Sequence, residues 1–388
     1  MNGKLTCTLQ EVKETVKKHL TLDDYTIVEI ILAVVVGNLF KTDPLWLLII
    51  GASSTAKTEL LAGLDGLPII RFISDLTTNT LISGKKDASL LPKLNDKILI
   101  MKDFTTILSK RSDDLKIIMG HLREVYDGKL SKSYGTGDSV NWTGHVGFLG
   151  ACTPVYDRKH GVISQMGERF LLYRNTNKDD CKSGIQALAG FGHEVKMRSE
   201  IVSIFKKFLN QFKKINLTIP ELSEDMQYKL VALATLCGHG RCAVHRDPYA
   251  KDEITYMPEP EGSPRLTKQL FHLGIALMAV HEKNEITNYI YSVLVKVGLD
   301  LIPRLRFNII KHLWESRALQ GTGYSLSTTD VAKGTGIHGR TSLRALQDMS
   351  IIGMTKGELN ETAHGGAYIW QLSRKTIELI GVSEVFDD

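Results

Sequence analysis

Several features that would assign this chain to a particular class are scarce or absent. Its 388 residues include only five cysteines, which are odd in number and scattered, so we expect reduced thiols in a cytoplasmic protein. The first residues carry no signal-peptide pattern. The longest apolar run, 27–40, is interrupted by Glu29 and Asn38 and is too short to span a bilayer. We therefore expect no membrane association.

Charge and size set only broad limits on function. The formal net charge of +5 comes from 48 basic and 43 acidic residues, which permits an anionic partner without identifying one. A chain of 388 residues is too long for one small domain, because domains usually contain roughly 100–200 residues. We expect two or three domains.

Apolar runs typical of strands alternate with helical segments in the first half of the chain. The predicted strands are 45–50, 69–74, 97–102, 144–151 and 169–173. Helical segments lie between most of them, notably at 113–126, and two further helices, at 9–18 and 22–40, come before the first strand. This alternation predicts an α/β fold with a parallel sheet.

A phosphate-binding loop follows the first predicted strand. It consists of Gly51, Ala52, Ser53, Ser54, Thr55, Ala56, Lys57 and Thr58. Backbone N–H groups of such a loop point at phosphates, the lysine meets the β- and γ-phosphates, and the Thr58 hydroxyl can ligate Mg²⁺. Ala56 replaces the second glycine of the usual pattern, and a Cβ there opposes a positive φ. We predict binding of ATP and Mg²⁺; the alternative is an ordinary strand–turn–helix.

An acidic residue is expected on a neighbouring strand. Four apolar residues, 98–101, precede Lys102 and Asp103, which predicts that Asp103 lies at the carboxyl edge of the sheet. Many ATPases have two consecutive acids there, one for Mg²⁺ and one for the attacking water. Asp103 is alone, so both roles stay open for it, and a plain surface acid is the alternative.

Three later segments, 122–135, 146–154 and 167–174, complete a recognisable series. In order and spacing the series resembles the AAA+ module of minichromosome-maintenance (MCM) replicative helicases. It is still more similar to the MCM-like ATPases of phages, plasmids and chromosomal islands. The resemblance covers roughly residues 45–283. It implies an AAA+ parallel sheet flanked by helices and a homo-oligomeric ring, a hexamer.

The resemblance also implies roles for individual residues besides Lys57 and Asp103. Thr153 matches the sensor-1 position, where MCM proteins usually have asparagine. Arg169 matches the arginine finger, which reaches the nucleotide of a neighbouring subunit. Arg265, after a proline-rich segment, matches sensor 2. For each of these three residues, the alternative is a surface or helix-capping residue.

A lysine-bearing hairpin is expected before the sensor-1 strand. In the family that this chain resembles, such a hairpin points into the central pore of the ring and touches the DNA backbone. Lys129 and Lys132 suit phosphate contact, and Tyr134 suits stacking on a base or sugar. A solvated lysine hairpin explains the same residues.

The last part of the chain predicts a winged helix. Three short helices are followed by a β-ribbon at 356–372. Arg340 and Arg344 are four residues apart on the third helix, which enters the major groove in helix-turn-helix proteins, and Lys356 lies in the wing. Many winged helices instead bind protein or pack on their own ATPase.

The sequence therefore predicts three parts: a helical segment at 1–40, an AAA+ ATPase domain with a helical lid at 41–300, and a winged-helix domain at 301–388. We expect an ATP-dependent, DNA-associated motor, a replicative helicase or initiator of a mobile element, working with DNA and with replication proteins. One alternative is an ATP-binding, DNA-binding regulator with little hydrolysis, which Ala56 and the lone Asp103 favour. Another is a scaffold whose phosphate-binding loop has decayed.

Overall fold

The computed structural model of the chain describes residues 5–40, 42–83, 88–135, 139–165, 167–176, 180–214, 219–247, 249–250, 253–321, 324–360 and 367–387. The chain divides into two compact units. Unit 1 comprises Met1–Glu221 and Phe271–Leu294, and unit 2 comprises Leu222–Leu270 and Val295–Asp388.

Unit 1 contains a five-stranded parallel sheet and a two-stranded hairpin. Its strands are β1 Trp46–Ile50, β2 Ile70–Ile73, β3 Lys97–Met101, β4 Lys129–Ser133, β5 Ser139–Thr143, β6 Val146–Cys152 and β7 Leu171–Arg174. The sheet order is β2-β3-β6-β1-β7, and β4 pairs with β5 in the antiparallel hairpin. The predicted α/β fold with a parallel sheet is confirmed. The five predicted sheet strands differ from the observed ones by at most two residues at either end.

The central strands are hydrophobic on both faces, as a parallel sheet covered by helices requires. All five residues of β1 and all seven of β6 are buried. Beside them five aromatic rings pack with centroids 5.2–5.8 Å apart. These rings belong to Trp46, Phe104, Tyr126, Phe148 and Phe170. This cluster fixes the strands that carry the candidate site.

Helices flank this sheet. Those of unit 1 are α1 Leu9–His19, α2 Thr26–Gly37, α3 Lys57–Ala62, α4 Thr105–Leu108, α5 Ser112–Tyr126, α6 Val155–Gln165, α7 Asp180–Ala189 and α8 Glu194–Asn210. Short 3₁₀ turns lie at Leu91–Lys93 and Gln211–Lys214. Helix α1 begins with a capping box between Thr8 and Glu11. In the part of the chain that the structure describes, no helix combines the length and hydropathy needed to cross a membrane.

One charged residue is fully buried in α2. Glu29 pairs with Lys13, lies 2.8 Å from His281 Nε2, and accepts hydrogen bonds of 2.8 and 2.9 Å from the Tyr289 hydroxyl. Burial raises the pKa of Glu29, but the bonds from His281 and Lys13 outweigh it and hold this pKa below its ordinary 4.5. The ionised carboxylate of Glu29, on α2, therefore bonds Lys13 of α1 as well as His281 and Tyr289.

Unit 2 contains helices and a small antiparallel sheet. Its helices are α9 Glu224–Gly240, α12 Arg304–Gln320, α13 Thr328–Thr335, α14 Gly339–Ile351 and α15 Arg374–Ser383, and α10 Pro264–Val280 and α11 Asn288–Asp300 contribute to both units. Its strands are β8 Leu326–Ser327, β9 Thr355–Asn360 and β10 Ala367–Leu372, in the order β8-β10-β9. The sequence predicted the β9–β10 ribbon but not β8 or α15.

Candidate functional site

The predicted phosphate-binding loop, 51–58, connects the end of β1 to the first turn of α3. Gly51 leaves no room for a side chain. A Cβ there would lie 2.7 Å from the backbone oxygen of Asn175 and 3.1 Å from Thr55 Oγ1. The loop therefore packs directly against the backbone that follows β7.

Two residues of the loop have left-handed backbones. Ser54 has φ 63° and Ala56 has φ 58°. A residue with a Cβ pays roughly 1–2 kcal/mol in this region, which glycine does not. Ala56 thus adopts the left-handed conformation for which the usual pattern has a glycine, and it does so at an energetic cost.

The Lys57 ammonium is folded into the loop. Its Nζ donates to Gly51 O at 2.9 Å, to Thr55 Oγ1 at 3.0 Å and to Ala52 O. The residue is only 7% exposed. Burial lowers the pKa of Lys57 below its ordinary 10.5, and the charge of Asp103 partly offsets this. Among the described residues, its hydrogen-bond partners are all neutral oxygens, and no anion there bonds directly to this buried positive charge.

Asn175 supports the loop from the neighbouring strand, and the sequence analysis missed it. Its Nδ2 donates to Thr55 O at 2.9 Å, and its backbone N–H donates to Ile50 O at 2.7 Å. The side chain is buried. The only signal in the sequence is a polar residue immediately after the apolar strand β7, at the same sheet edge as Gly51.

Asp103 and Thr153 lie at the same carboxyl edge as the loop. Strand β6 lies between β1 and β3, so Thr153 follows the strand next to β1 and Asp103 follows the strand beyond it. Thr105 connects them, because its N–H donates to Asp103 Oδ1 at 2.9 Å and its Oγ1 accepts from Thr153 N at 3.1 Å. Asp103 is exposed.

A cavity of about 410 Å³ opens beside the loop. This volume is within the range of roughly 300–1,000 Å³ that small-molecule sites occupy. Loop residues 54–58 form one wall. The chain after α1 and the helices α7 and α8 form the others, through His19, Thr21, Gln186 and Met197. The N-terminal helical segment therefore contributes directly to this site.

Two polar side chains at the carboxyl edge of the sheet suit a magnesium ion. Thr58 lines the cavity with an exposed side chain, and Asp103 provides a carboxylate at the same edge. Among the described residues no group of three or more His, Cys, Asp or Glu side chains could hold a metal ion. Mg²⁺ in nucleotide sites needs only one or two protein ligands, because phosphates and water complete its shell.

Arg169 is not near the loop of its own chain. It precedes β7, whose last residue, Arg174, is in register with Ile50 at the carboxyl end of β1. Its guanidinium donates to both oxygens of Asp127 at 3.2 Å and lies 5.6 Å from the centroid of the Tyr126 ring. Arg169 is therefore at the edge of the sheet opposite the phosphate-binding loop.

The hairpin residues form a separate group within unit 1. Lys129 is exposed, whereas Lys132 donates to Thr78 O at 3.2 Å and to Asn79 Oδ1 at 3.0 Å. The Lys132 ammonium also lies 5.5 Å from the centroid of the Tyr134 ring. The hairpin thus presents Lys129 to solvent and anchors Lys132 on the chain after β2, while residues 136–138 between its strands lie outside the described residues.

The remaining predicted residues belong to unit 2. Arg265, in the first turn of α10, lies 2.6 Å from Glu261, and the same carboxylate pairs with Arg241 at 2.6 Å. On α14, Arg340 and Arg344 are both exposed. They share one helix face because they are four residues apart.

Lys356, on β9, is exposed and pairs with Glu358 at 2.5 Å. An exposed pair of this kind contributes little to stability, so Lys356 remains accessible to another anion.

No protein-family model matches this chain, and no curated protein sequence matches it at a significant level.

Proposed function

We propose that the chain is a P-loop ATPase of the AAA+ class that binds ATP at residues 51–58. The observation that carries this proposal is the buried Lys57 ammonium beside a cavity of about 410 Å³, where its bonded partners among the described residues are all neutral oxygens. A buried cation is costly without an anion, and a triphosphate supplies one. Gly51 and Asn175 hold the loop against the backbone that follows β7, which fixes its position beside the cavity.

The same sheet edge carries the groups that hydrolysis needs. Thr58 and Asp103 hold Mg²⁺, which neutralises charge on the phosphates when it is bound. Thr153 orients the attacking water or the γ-phosphate from the strand next to β1. Support comes from the bonds of Thr105 to both Asp103 and Thr153, which keep these two residues in one arrangement.

We further propose that ATP lies between subunits of a homo-oligomeric ring, a hexamer as in the family that the sequence resembles. Arg169 cannot reach the loop of its own chain from the opposite sheet edge, so it serves a neighbouring subunit. Heterologous interfaces of this kind, one edge of a subunit against the other edge of the next, form a ring when the rotation between subunits closes. Arg265 acts as sensor 2.

DNA is the proposed polymer substrate. Lys129, Lys132 and Tyr134 contact the strand in the ring, and Arg340, Arg344 and Lys356 of a winged-helix domain contact DNA outside it. The exposed arginine pair on α14 and the exposed Lys129 support these assignments. The proposed role is that of a helicase or initiator in the replication of a mobile element.

The primary test is ATP binding and DNA-stimulated hydrolysis by the purified protein. Lys57→Ala should abolish both, because it removes the only cation in the loop, whereas Lys116→Ala, at an exposed lysine on α5, should change neither. Unchanged nucleotide affinity in Lys57→Ala would leave the scaffold hypothesis standing and overturn the ATPase. ATP hydrolysis without strand separation on forked DNA would exclude the helicase.

Two observations favour a second function. Asp103 has no second acid next to it in the sequence after β3, and Ala56 strains the loop, which together suit a nucleotide-controlled regulator that turns over slowly. This function predicts ATP binding with negligible hydrolysis and a sequence-specific footprint that Arg340→Ala and Arg344→Ala erase.

A further inference from the structure

A groove of about 420 Å³ lies in unit 2, apart from the residues assigned above. Its floor is formed by Tyr368 and Trp370 of β10. Gln347 and Ser350 of α14 form one wall, and Arg246 forms part of the other. Its volume is within the roughly 300–1,000 Å³ of small-molecule sites.

The floor is a pair of stacked rings. Tyr368 and Trp370 have centroids 5.6 Å apart and ring planes 25° from parallel. Trp370 is buried and donates to Thr328 Oγ1 at 2.9 Å. Gly357 faces it on β9, where a Cβ would lie 2.3 Å from the indole ring. Trp370 is therefore fixed, and it supports Tyr368, which remains 44% exposed.

The wall carries hydrogen-bonding groups that are available to a ligand. In the described part of the chain, no protein group bonds the Gln347 amide or the Ser350 hydroxyl. An amide supplies a donor and an acceptor, which is the pattern that nucleobase edges present. Arg246 is held by Asp348 through contacts of 2.9 and 2.8 Å, so its guanidinium has a fixed position.

The charge around the groove favours an anionic ligand. Arg340, Arg344 and Gln347 follow one face of α14, so the two exposed arginines lead along the helix to the groove. These exposed guanidinium groups on the α14 face beside the groove suit contact with phosphates, which disfavours a purely apolar peptide as the occupant.

We propose that this groove binds an unpaired base of single-stranded nucleic acid. The base stacks on Tyr368, its edge bonds Gln347 and Ser350, and the arginines contact neighbouring phosphates. Bases in a duplex are stacked on each other and do not offer a face to Tyr368. The inference rests on the proposed DNA contact of α14, but it is independent of ATP hydrolysis.

The test compares the binding of labelled oligothymidine and of a duplex to the full-length protein without ATP. Tyr368→Ala should weaken single-strand binding about 5- to 150-fold, which corresponds to the roughly 1–3 kcal/mol of base–aromatic stacking. Duplex affinity should not change. Tyr368→Phe keeps the ring and should match the wild type. An oligonucleotide carrying 5-iododeoxyuridine should crosslink to Tyr368.

Two outcomes overturn the inference. In the first, Tyr368→Ala leaves single-strand binding unchanged, as expected if the groove binds peptides instead. In the second, Tyr368→Ala weakens duplex and single-strand binding equally. The double variant Arg340→Ala/Arg344→Ala separates this failure from that of the proposed function. If the double variant weakens DNA binding and Tyr368→Ala does not, only the groove assignment fails. If the double variant binds all DNA normally, the proposed DNA contact of α14 fails as well.

Discussion

The position of Arg169 predicts that two inactive variants, Arg169→Ala and Lys57→Ala, restore ATP hydrolysis when they are mixed. Arg169 lies five positions before Arg174, which is in register with the last residue of β1. At roughly 3.3 Å per strand residue this places Arg169 about 16 Å from the carboxyl edge, farther than any side chain reaches. Arg169 therefore completes the site of another subunit or of none.

Arg169→Ala alone should lower the turnover of ATP by roughly 10³- to 10⁵-fold, the usual effect of losing an arginine finger. Lys57→Ala alone should be inactive because it cannot hold the triphosphate. In an equal mixture that assembles at random, about a quarter of the interfaces pair an intact Lys57 with an intact Arg169. Mixing should therefore restore about a quarter of the wild-type turnover.

The assay is steady-state ATP hydrolysis by the two variants, separately and after co-assembly at concentrations at which the ring forms. Co-purified wild-type and Lys57→Ala subunits serve as the control for dilution of active sites. Activity of the mixture no greater than the sum of its components would refute the trans assignment. Full activity of Arg169→Ala alone would refute any role in hydrolysis.

Three further predictions concern the fold and the loop. Glu29→Gln should lower the free energy of unfolding by about 3–5 kcal/mol at pH 7, because the partly buried Lys13 and His281 lose the buried carboxylate that they face. The depressed pKa of Glu29 adds stability above its ordinary 4.5 that is lost as the pH falls through the lower folded-state value. Urea denaturation at several acidic pH values should therefore show a flatter profile in the variant, and parallel profiles would contradict this. Ala56→Gly should raise stability by up to about 1 kcal/mol, since relief of the positive φ outweighs the added chain entropy, and a clear loss in urea denaturation would count against the strained loop. Exposed Cys181 should react with iodoacetamide at pH 8, whereas buried Cys152, whose pKa burial raises to about 12, should react only after unfolding, as peptide mass spectrometry can show. Equal rates for the two thiols would contradict the burial of Cys152.

The strands of unit 1 were predictable because each buried parallel strand is a continuous apolar run. The run before Gly51 predicted β1, and the polar residues after it predicted a loop. The order of the strands was not predictable in this way. That β6 lies between β1 and β3 depends on packing between segments about a hundred residues apart, as the pairing of Trp46 with Phe148 illustrates.

Only the part of the candidate site that lies within one continuous segment of the sequence was predictable. Residues 51–58 are consecutive, so the loop was visible in the sequence. Asn175 bonds Thr55 across 120 residues, and this contact exists only because β7 pairs with β1. Likewise, the sequence marked Arg169 but not its partner Asp127, 42 residues earlier.

The pair of Arg169 and Asp127 has a consequence for communication between subunits. Asp127 ends α5, two residues before Lys129 begins the hairpin. If Arg169 binds a phosphate of the neighbouring subunit as proposed, that phosphate and Asp127 compete for the Arg169 guanidinium. Asp127 then loses its ion pair whenever the guanidinium binds the phosphate. Because such competition is reciprocal, a DNA strand that pulled on the hairpin would then also alter how tightly the adjacent subunit holds its nucleotide. The ion pair of Arg169 and Asp127, at 3.2 Å, would then couple nucleotide binding in one subunit to the position of the hairpin in the next.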